Sequence, residues 1–480
     1  ANANAAATAV QLKDVRATLD GSLAQAALAL QGEATTGTQR LTLDARASGG
    51  IAGPNHWRAA LASLRLQAQD SARVNTAGTT AAPWTVELGR EVTATIRTSG
   101  SGTTSRLDLE ASAAEATLRG PAPGTVRIEW QPLRFTRSGA APNQAFRVQS
   151  KGKLQGLPMA WAEAFGASTT FNELGVSGDL MFDGDWDIDA GDTLRAHARL
   201  ARQSGDIRVQ AGEAALVTRI TSRGTGTASE RTMNSATAGA EAPSTPAGLR
   251  QAELRLDAQG QAVRAILAWD SERAGKINAE LNTRMQQRAD GWQWAADAPL
   301  AGNIKATLPN LGVWSMLAPP GWRVAGTLDA EAALAGNRAA PRWNGTLGAD
   351  KLALRAPVEG LDLRDGRLRA SLTGERIEIT EFTLKGGAGS TARIAGQSGN
   401  RSTAASEAGT DGGSLTARGD IGWGAASSSS TGIRMALQAD LRALRVLVRT
   451  DRQVTLSGNL QARLDNGQFN VRGKLKTDRA

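Results

Sequence analysis

The sequence predicts an all-β protein, built on an elongated, bent, antiparallel-rich β-sheet with a few short helices. Three observations lead to this fold class. Apolar and polar residues alternate over short segments bounded by turn-forming residues. The turns are two residues long, and only antiparallel neighbours can be joined by so short a connection. Over hundreds of residues there is neither βαβ alternation nor long helical periodicity.

The segment 360–386, GLDLRDGRLRASLTGERIEITEFTLKG, shows the alternation most plainly. Two candidate turns interrupt it, Asp365-Gly366 and Gly374-Glu375. Residues five apart pair across a two-residue turn and therefore lie on one face of the hairpin. The pairs that this rule places together are Leu363 with Leu368 and Leu372 with Ile377. The segment thus predicts three consecutive strands with one shared apolar face.

Two further hairpins follow the same rule. Their turns are Gly260-Gln261 and Asn466-Gly467. The residues expected to share the apolar face are Leu254, Leu256 and Ala258 opposite Val263, Ala265, Leu267 and Trp269, and Leu460, Ala462 and Leu464 opposite Phe469 and Val471. Many of the inward positions are alanines, which leaves room on this side of the sheet.

The charge of the chain leaves two interpretations open. The net charge of +9 and the pI of about 10.5 fit either a solvated, arginine-rich outer face or attraction to an anionic surface such as lipid head groups. We expect no nucleic-acid partner, because the basic residues alternate singly with apolar ones and form no block or helical stripe.

No residue pattern points to catalysis, to a metal site or to a cofactor. The absence of cysteine excludes disulfides, thiolate metal sites and cysteine nucleophiles. The aspartate-rich segment 178–192 lacks the glycine and glutamate positions of an EF-hand, whereas Leu180, Phe182, Trp186 and Ile188 alternate as in an amphipathic strand. His56 and His197 have no carboxylate or nucleophile pattern nearby in the sequence.

The chain divides into six segments on composition. Two short helices are expected, at Lys153 to Phe165 and at Leu308 to Trp322. Polar, glycine-rich and serine-rich stretches predict mobile loops or linkers. The segments are an N-terminal β-groove segment 1–150, a β-groove segment with a short helix 151–220, a flexible loop or linker 221–248, a β-groove segment 249–396, flexible loops with a short strand 397–432, and a β-groove segment 433–480 that is expected to continue beyond this sequence.

An amphipathic sheet must cover its apolar side, and with helices scarce we expect the sheet to bend into an apolar groove. Such a groove could hold acyl chains in an aqueous compartment. The residues expected to line it are Leu254, Leu256, Leu267, Leu363, Leu368, Leu372, Ile377, Leu464 and Phe469. The alternatives are a structural or adhesive β-solenoid with a dry core, for which two-residue reversals are unsuitable, and a β-helical carbohydrate-active enzyme, for which no site is identifiable.

Several segments resemble the TamB family, the translocation and assembly module subunit of Gram-negative bacteria. They are PLAGNIKATLPNLGVWSMLAPPGWRVAGTLDAEAALAGN, AAPRWNGTL, LALRAPVEGLDLRDGRLRASLTGERIEITEFTLKGG, LQGLPMAWAEAF, SGDLMFDGDWDI and VTLSGNLQARLDNGQFNVRGKLKTDRA. The resemblance spans residues 151 to 480. It implies a non-enzymatic periplasmic protein with a lipid-holding β-groove, phospholipid acyl chains as cargo, the outer-membrane protein TamA as partner, and a role in outer-membrane biogenesis between the inner and outer membranes.

We also expect the chain to be an internal fragment. It starts with Ala rather than Met and contains neither an export signal nor an apolar run of 18 residues. The resemblance implies an inner-membrane anchor helix that precedes this sequence and a TamA contact region that follows it.

Overall fold

The strands account for nearly all regular structure in the computed structural model, which describes residues 10–70, 82–101, 104–121, 123–139, 145–161, 176–210, 244–288, 291–317, 322–356, 360–387, 412–423, 433–448, 453–465 and 467–479. The strands are β1 (Gln11–Ser22), β2 (Gln25–Thr36), β3 (Gln39–Gly53), β4 (His56–Asp70), β5 (Trp84–Leu88), β6 (Val92–Ser99), β7 (Arg106–Ala111), β8 (Ala114–Arg119), β9 (Thr125–Trp130), β10 (Leu133–Ser138), β11 (Ala145–Pro158), β12 (Val176–Gly178), β13 (Met181–Ala190), β14 (Leu194–Ser204), β15 (Ile207–Gln210), β16 (Ser244–Pro246), β17 (Leu249–Gln259), β18 (Ala262–Ser271), β19 (Gly275–Arg284), β20 (Gln286–Arg288), β21 (Gly291–Gln293), β22 (Ala301–Leu308), β23 (Arg323–Gly336), β24 (Pro341–Ala356), β25 (Leu361–Gly374), β26 (Arg376–Gly386), β27 (Ser414–Gly422), β28 (Arg434–Val448), β29 (Gln453–Asp465) and β30 (Gln468–Arg479).

Twenty-five of these strands form one large sheet. Hydrogen-bonded neighbours follow the order of the chain from β1 to β4 and again from β11 through β13, β14, β17, β18, β19 and β22 to β30. β12, β15 and β16 form a separate small sheet, and β20 and β21 form a hairpin. Every pairing in the large sheet is antiparallel, which confirms the predicted fold class.

Between β4 and β11, three successive strands are interrupted near their middles. β5 and β6 pair with consecutive parts of β4 and so lie end to end in one row of the sheet. In the next row β8 pairs with β5 and β7 with β6, and in the third row β9 pairs with β8 and β10 with β7. β9 and β10 then both pair with β11. The breaks lie at 89–91, 112–113 and 131–132, and we call them together the interruption line. Because three rows hold two strands each, the 25 strands make 22 rows.

Every row of the large sheet directs most of its apolar residues to the same side. Side chains of directly paired residues point to one side of a sheet, so the register can be followed from strand to strand. This tracing connects Leu19 in β1 with Phe469 in β30. We call this side the apolar face, and the opposite side, which carries Arg255 and Arg463, the polar face.

Three of the four predicted hairpins are confirmed. Leu372 pairs with Ile377 across Gly374-Glu375. Ala258 pairs with Val263 across Gly260-Gln261. In the third hairpin Leu464 pairs with Phe469. Gly260, Gly374 and Gly467 have φ of 60°, 65° and 73°, the left-handed backbone that two-residue hairpin turns require.

The prediction of a turn at Asp365-Gly366 is wrong. β25 runs through it without interruption, and Asp365, with φ of 49°, lies in a β-bulge. A bulge adds one residue to a strand and so changes the alternation as a turn does. Leu363 pairs with Gly386 and Leu368 with Phe382, which places both leucines on the apolar face. The segment 360–386 therefore forms two strands and not three.

The predicted short helices are reduced to 3-10 turns. β11 continues through Pro158 and is followed by a single 3-10 turn at 159–161. The second prediction is confirmed as the 3-10 helix Leu311–Leu317, in which Trp314 Nε1 donates a hydrogen bond to the carbonyl of Ala274 at 3.0 Å. The aspartate-rich segment forms strand β13, as predicted.

The segment boundaries stay predictions. Most of the linker 221–248 lies outside the described residues, except for β16 and the two residues that follow it. Of the segment 397–432, predicted as loops with a short strand, residues 397–411 and 424–432 lie outside the described residues as well.

Candidate functional site

Six of the nine residues predicted to line a groove lie on one path of directly paired residues. The path crosses the sheet from β14 to β30 on the apolar face. Its members are Leu200, Leu254, Leu267, Ala279, Ile304, Ala332, Gly345, Leu372, Ile377, Ile421, Met435, Leu464 and Phe469. Leu256, Leu363 and Leu368 lie on the same face beside this path.

The apolar face is open to solvent at β17 and β18. Leu254, Leu256 and Leu267 are 49%, 39% and 41% exposed, although all three lie in the middle of paired strands. Their neighbours on this face include Ala198 and Ala265, which are too small to cover them. Contiguous exposed apolar surface of this kind is typical of ligand-binding grooves and of interaction sites.

The face is packed shut further along the sheet. Leu363, only 6% exposed, forms a dry cluster with Leu384, Leu441 and Leu444. The sheet curls here so that β25 and β28 contact each other, although β26 and β27 lie between them in the sheet. Among the predicted lining residues, Leu363 is therefore buried, whereas three exposed leucines form an open group: Leu254, Leu256 and Leu267. The half-buried members are Leu368, Leu372, Ile377 and Leu464.

Both ends of the sheet expose apolar side chains again. Leu19 and Trp57 are exposed on the first four strands, and Phe469 is 60% exposed on β30. Neither Leu19 nor Trp57 is among the nine predicted lining residues, although residues 1–150 are predicted to form a groove segment. The signal was present in β2 and β3, where LAL and LTL alternate over one face.

The β20–β21 hairpin contacts the turn between β13 and β14. Trp292 of β21 donates a hydrogen bond from Nε1 to the carbonyl of Gly191 at 2.9 Å, in the turn between β13 and β14. Phe146 of β11 lies against Gly291, where a Cβ would come within 2.7 Å of its ring. This hairpin was not predicted, and the sequence GWQW at 291–294 is the only trace of it.

The polar face is organised by ion pairs between neighbouring strands. Arg199 contacts Glu253 at 2.8 Å, and this hydrogen bond holds the pKa of the glutamate below its ordinary value. Arg264 lowers the pKa of Glu280 in the same way. The contacts neutralise charge on the polar face and keep it off the apolar face.

The histidine interpretation needs one correction. His197 does have nearby carboxylates, Asp257 at 2.7 Å and Asp185 at 3.5 Å, which come from the two neighbouring strands. Cross-strand neighbours are distant in the sequence, so inspection of the local sequence could not find them. Within the described residues no group of three or more histidines and carboxylates could hold a metal ion.

What the geometry defines is an elongated antiparallel sheet protein with one continuous apolar face and one ion-paired polar face. A family model, described as the TamB C-terminal domain, matches residues 402–480. The match confirms the predicted TamB-family resemblance over the C-terminal part of the chain. The resembling segments before residue 402 lie outside it. Comparison with curated proteins and with solved structures returned no match. No described helix combines the length and apolarity needed to cross a bilayer.

Proposed function

We propose that this chain is part of a periplasmic, bridge-like phospholipid transport protein that shields acyl chains on its apolar face. In this proposal the apolar face is the floor of a groove between the inner and outer membranes. The chain supports outer-membrane biogenesis together with TamA and performs no catalytic step. The observation that carries the proposal is the solvent exposure of Leu254, Leu256 and Leu267 on a face that continues through every row of the sheet.

The energetics of acyl-chain burial support this assignment. Each methylene group moved from water onto an apolar surface contributes about 0.8 kcal/mol. The large exposed side chains of the open group cannot be covered by their alanine neighbours, so a bound chain would remove them from water as well. The charged residues of the same strands, such as Arg255, lie on the opposite face and need not be desolvated.

The proposed location and partners rest on the family resemblance. The TamB C-terminal domain match supports a role in the translocation and assembly module. From this we infer the periplasmic location, the anchoring to the inner membrane and the partnership with TamA.

Photo-crosslinking tests the proposed lipid conduit along the apolar face. A photoreactive amino acid is placed at Leu256, Leu267 and Phe469 on the apolar face, and separately at Arg255 and Ile266 on the polar face. Ile266 is the matched control for Leu267, because it is a half-buried apolar residue at the adjacent position of the same strand. We expect phospholipid to be captured at the first set and not at the second. Equal capture on both faces would remove the support for an apolar groove.

A charged residue in the path should stop transport. Leu256→Asp places a carboxylate that must be desolvated or kept wet where acyl chains would pass. We expect lipid transfer between membranes to fall at least tenfold, with Arg255→Asp as the control that leaves transfer nearly unchanged. A folded Leu256→Asp protein that transfers lipid at the parent rate would contradict a continuous path through β17.

A structural or adhesive β-solenoid is the alternative. It requires a closed, dry core, which the cluster around Leu363 resembles locally. The exposed leucines of β17 and β18 favour the conduit instead. Failure to capture lipid at any apolar-face position in a folded protein would make the solenoid the better assignment.

A further inference from the structure

Net positive charge is concentrated on the last four strands of the sheet. The described residues from 412 to 479 contain nine lysines and arginines and four aspartates, a surplus of five, against +9 for the whole chain. Seven of the nine are exposed on the polar face. They are Arg418, Arg434, Arg442, Arg463, Arg472, Lys474 and Lys476.

Several exposed cations elsewhere on the polar face are held in ion pairs. Arg127, Arg134 and Arg264 each contact a glutamate of the same or a neighbouring strand, at 3.6, 3.0 and 2.9 Å for the closest. Among the described residues, Arg418, Arg463 and Arg472 have no acidic partner within ion-pair distance. Their positive potential is therefore available to an external anion.

Arg418 and Arg463 line a shallow cleft, and Arg472 pairs with Gln461 at its edge. Arg418, Gln438, Gln461 and Arg472 are successive direct partners across β27 to β30. The cleft, of about 260 Å³, is lined by three members of this row together with Arg463 and Asp420. Asp420 is already engaged by Arg376 at 2.9 Å, which leaves guanidinium and amide donors to face a ligand.

We propose that the polar face of β27 to β30 docks on an anionic lipid bilayer, with the cleft receiving a phosphate head group. Each cation held near an anionic membrane surface strengthens association about fivefold. The strands carry no aromatic side chain on this face within the described residues, so it lacks the stacking groups of a nucleic-acid site and the apolar anchors of a protein interface. The inference goes beyond the proposed conduit, because it concerns the opposite face of the sheet.

Vesicle flotation of the full chain at low salt tests this surface. Vesicles of phosphatidylethanolamine with phosphatidylglycerol are compared with vesicles of phosphatidylcholine. The test variant combines Arg418→Gln, Arg463→Gln and Arg472→Gln. The control combines Arg127→Gln, Arg134→Gln and Arg264→Gln, which lowers the net charge equally from exposed positions on the same face. Circular dichroism verifies the strand content of both, and Arg463→Gln alone provides a milder variant.

We expect the test variant to lose roughly a hundredfold in affinity for the anionic vesicles and the control to lose about threefold or less. Arg463→Gln alone should lose about fivefold, and high salt should abolish the association. Equal losses in the two triple variants, or no preference of the parent for anionic vesicles, would overturn the proposal. Tighter binding to duplex DNA than to the vesicles would overturn it as well. Leu256→Asp should keep the vesicle association, so the result is independent of the conduit.

Discussion

Single glycines decide how closely side chains can lie on the apolar face. A Cβ at Gly152 would come within 2.3 Å of the Trp186 ring, which lies across β11. The ring is fixed there by a hydrogen bond from its Nε1 to the Ser150 hydroxyl at 2.9 Å. Because Gly152 has no side chain, the broad Trp186 ring can lie against β11 and does not project from the apolar face.

Gly152→Ala should therefore displace Trp186 and loosen the pairing of β11 with β13. We expect a loss of about 1–3 kcal/mol in local stability, the usual cost of overpacking. Hydrogen exchange of the amides in these two strands measures it. Gly53→Ala is the control, because no atom lies within 4 Å of the added Cβ and Gly53 has no positive φ. Equal protection in parent and Gly152→Ala would show that the ring can move aside freely.

The Asp362 carboxylate makes part of the fold sensitive to acid. Hydrogen bonds from Arg364 and then Arg355 hold the pKa of Asp362 below its ordinary value, although partial burial acts in the opposite direction. A folded-state pKa below the unfolded one means that the ionised form stabilises the fold. This stabilisation is complete above the unfolded pKa of about 3.9 and is lost as the pH falls through the folded value.

Urea unfolding from about pH 6 to about pH 2 measures this contribution. We expect the parent to lose stability more steeply below about pH 4 than Asp362→Asn, whose amide does not titrate. Superimposable pH profiles of the two proteins would show that the arginine contacts do not persist in solution.

At the scale of elements, a bulge and a hairpin turn leave the same mark in a sequence. Both shift the alternation by one residue, and both accept Asp-Gly with left-handed backbone. At Asp365-Gly366 the strand continues, and Leu384 and Leu352 lie against Gly366, where a Cβ would come within 2.5 and 2.8 Å of them. The packing of these leucines against the chain, which no local pattern reveals, accompanies the bulge.

Two substitutions at Asp365 measure the cost of backbone strain in the bulge. Asp365→Gly keeps the left-handed conformation without strain, whereas Asp365→Val places a β-branched residue at φ of 49°. We expect the valine variant to be about 1–2 kcal/mol less stable around β25 than the glycine variant. Hydrogen exchange of β24 to β26 provides the measurement. A valine variant as stable as the glycine variant would mean that the bulge relaxes to another register.

The all-β class and the two faces could be predicted because alternation is a local property of strands. The pairs at Gly260-Gln261 and Gly374-Glu375 followed from spacing alone. The burial of Leu363 and the exposure of Leu267 could not be predicted, since both leucines alternate identically in the sequence. Their difference depends on the curl that brings β28 onto β25, a contact between residues about 80 positions apart.

At the scale of the whole molecule, the apolar face alternates between open and packed stretches. The 22 rows extend roughly 100 Å at ~4.8 Å each. Within that length the face is open at β17 and β18, dry around Leu363 and exposed again at β30. In the proposed conduit, a lipid moving along the apolar face would have to open the dry cluster or pass over it.

Lipid capture should therefore be uneven along the sheet. A photoreactive residue at Leu267, 41% exposed, should capture several times more phospholipid than one at Leu363, 6% exposed. Leu444→Ala should reduce the difference in phospholipid capture between these two positions, because it truncates the most buried side chain of the cluster around Leu363. Uniform capture in the parent would mean that the cluster is open in solution.

The interruption line runs along the direction in which the rows of the sheet are stacked, so it divides each of three rows into two strands. Strands on either side of the breaks at 89–91, 112–113 and 131–132 stay paired with their neighbours. In the proposed conduit, bending about this line would change the angle between the two halves of the sheet while the strand pairings on each side stay intact. The groove would then change its width, for bulkier or slimmer lipids, without changing its length.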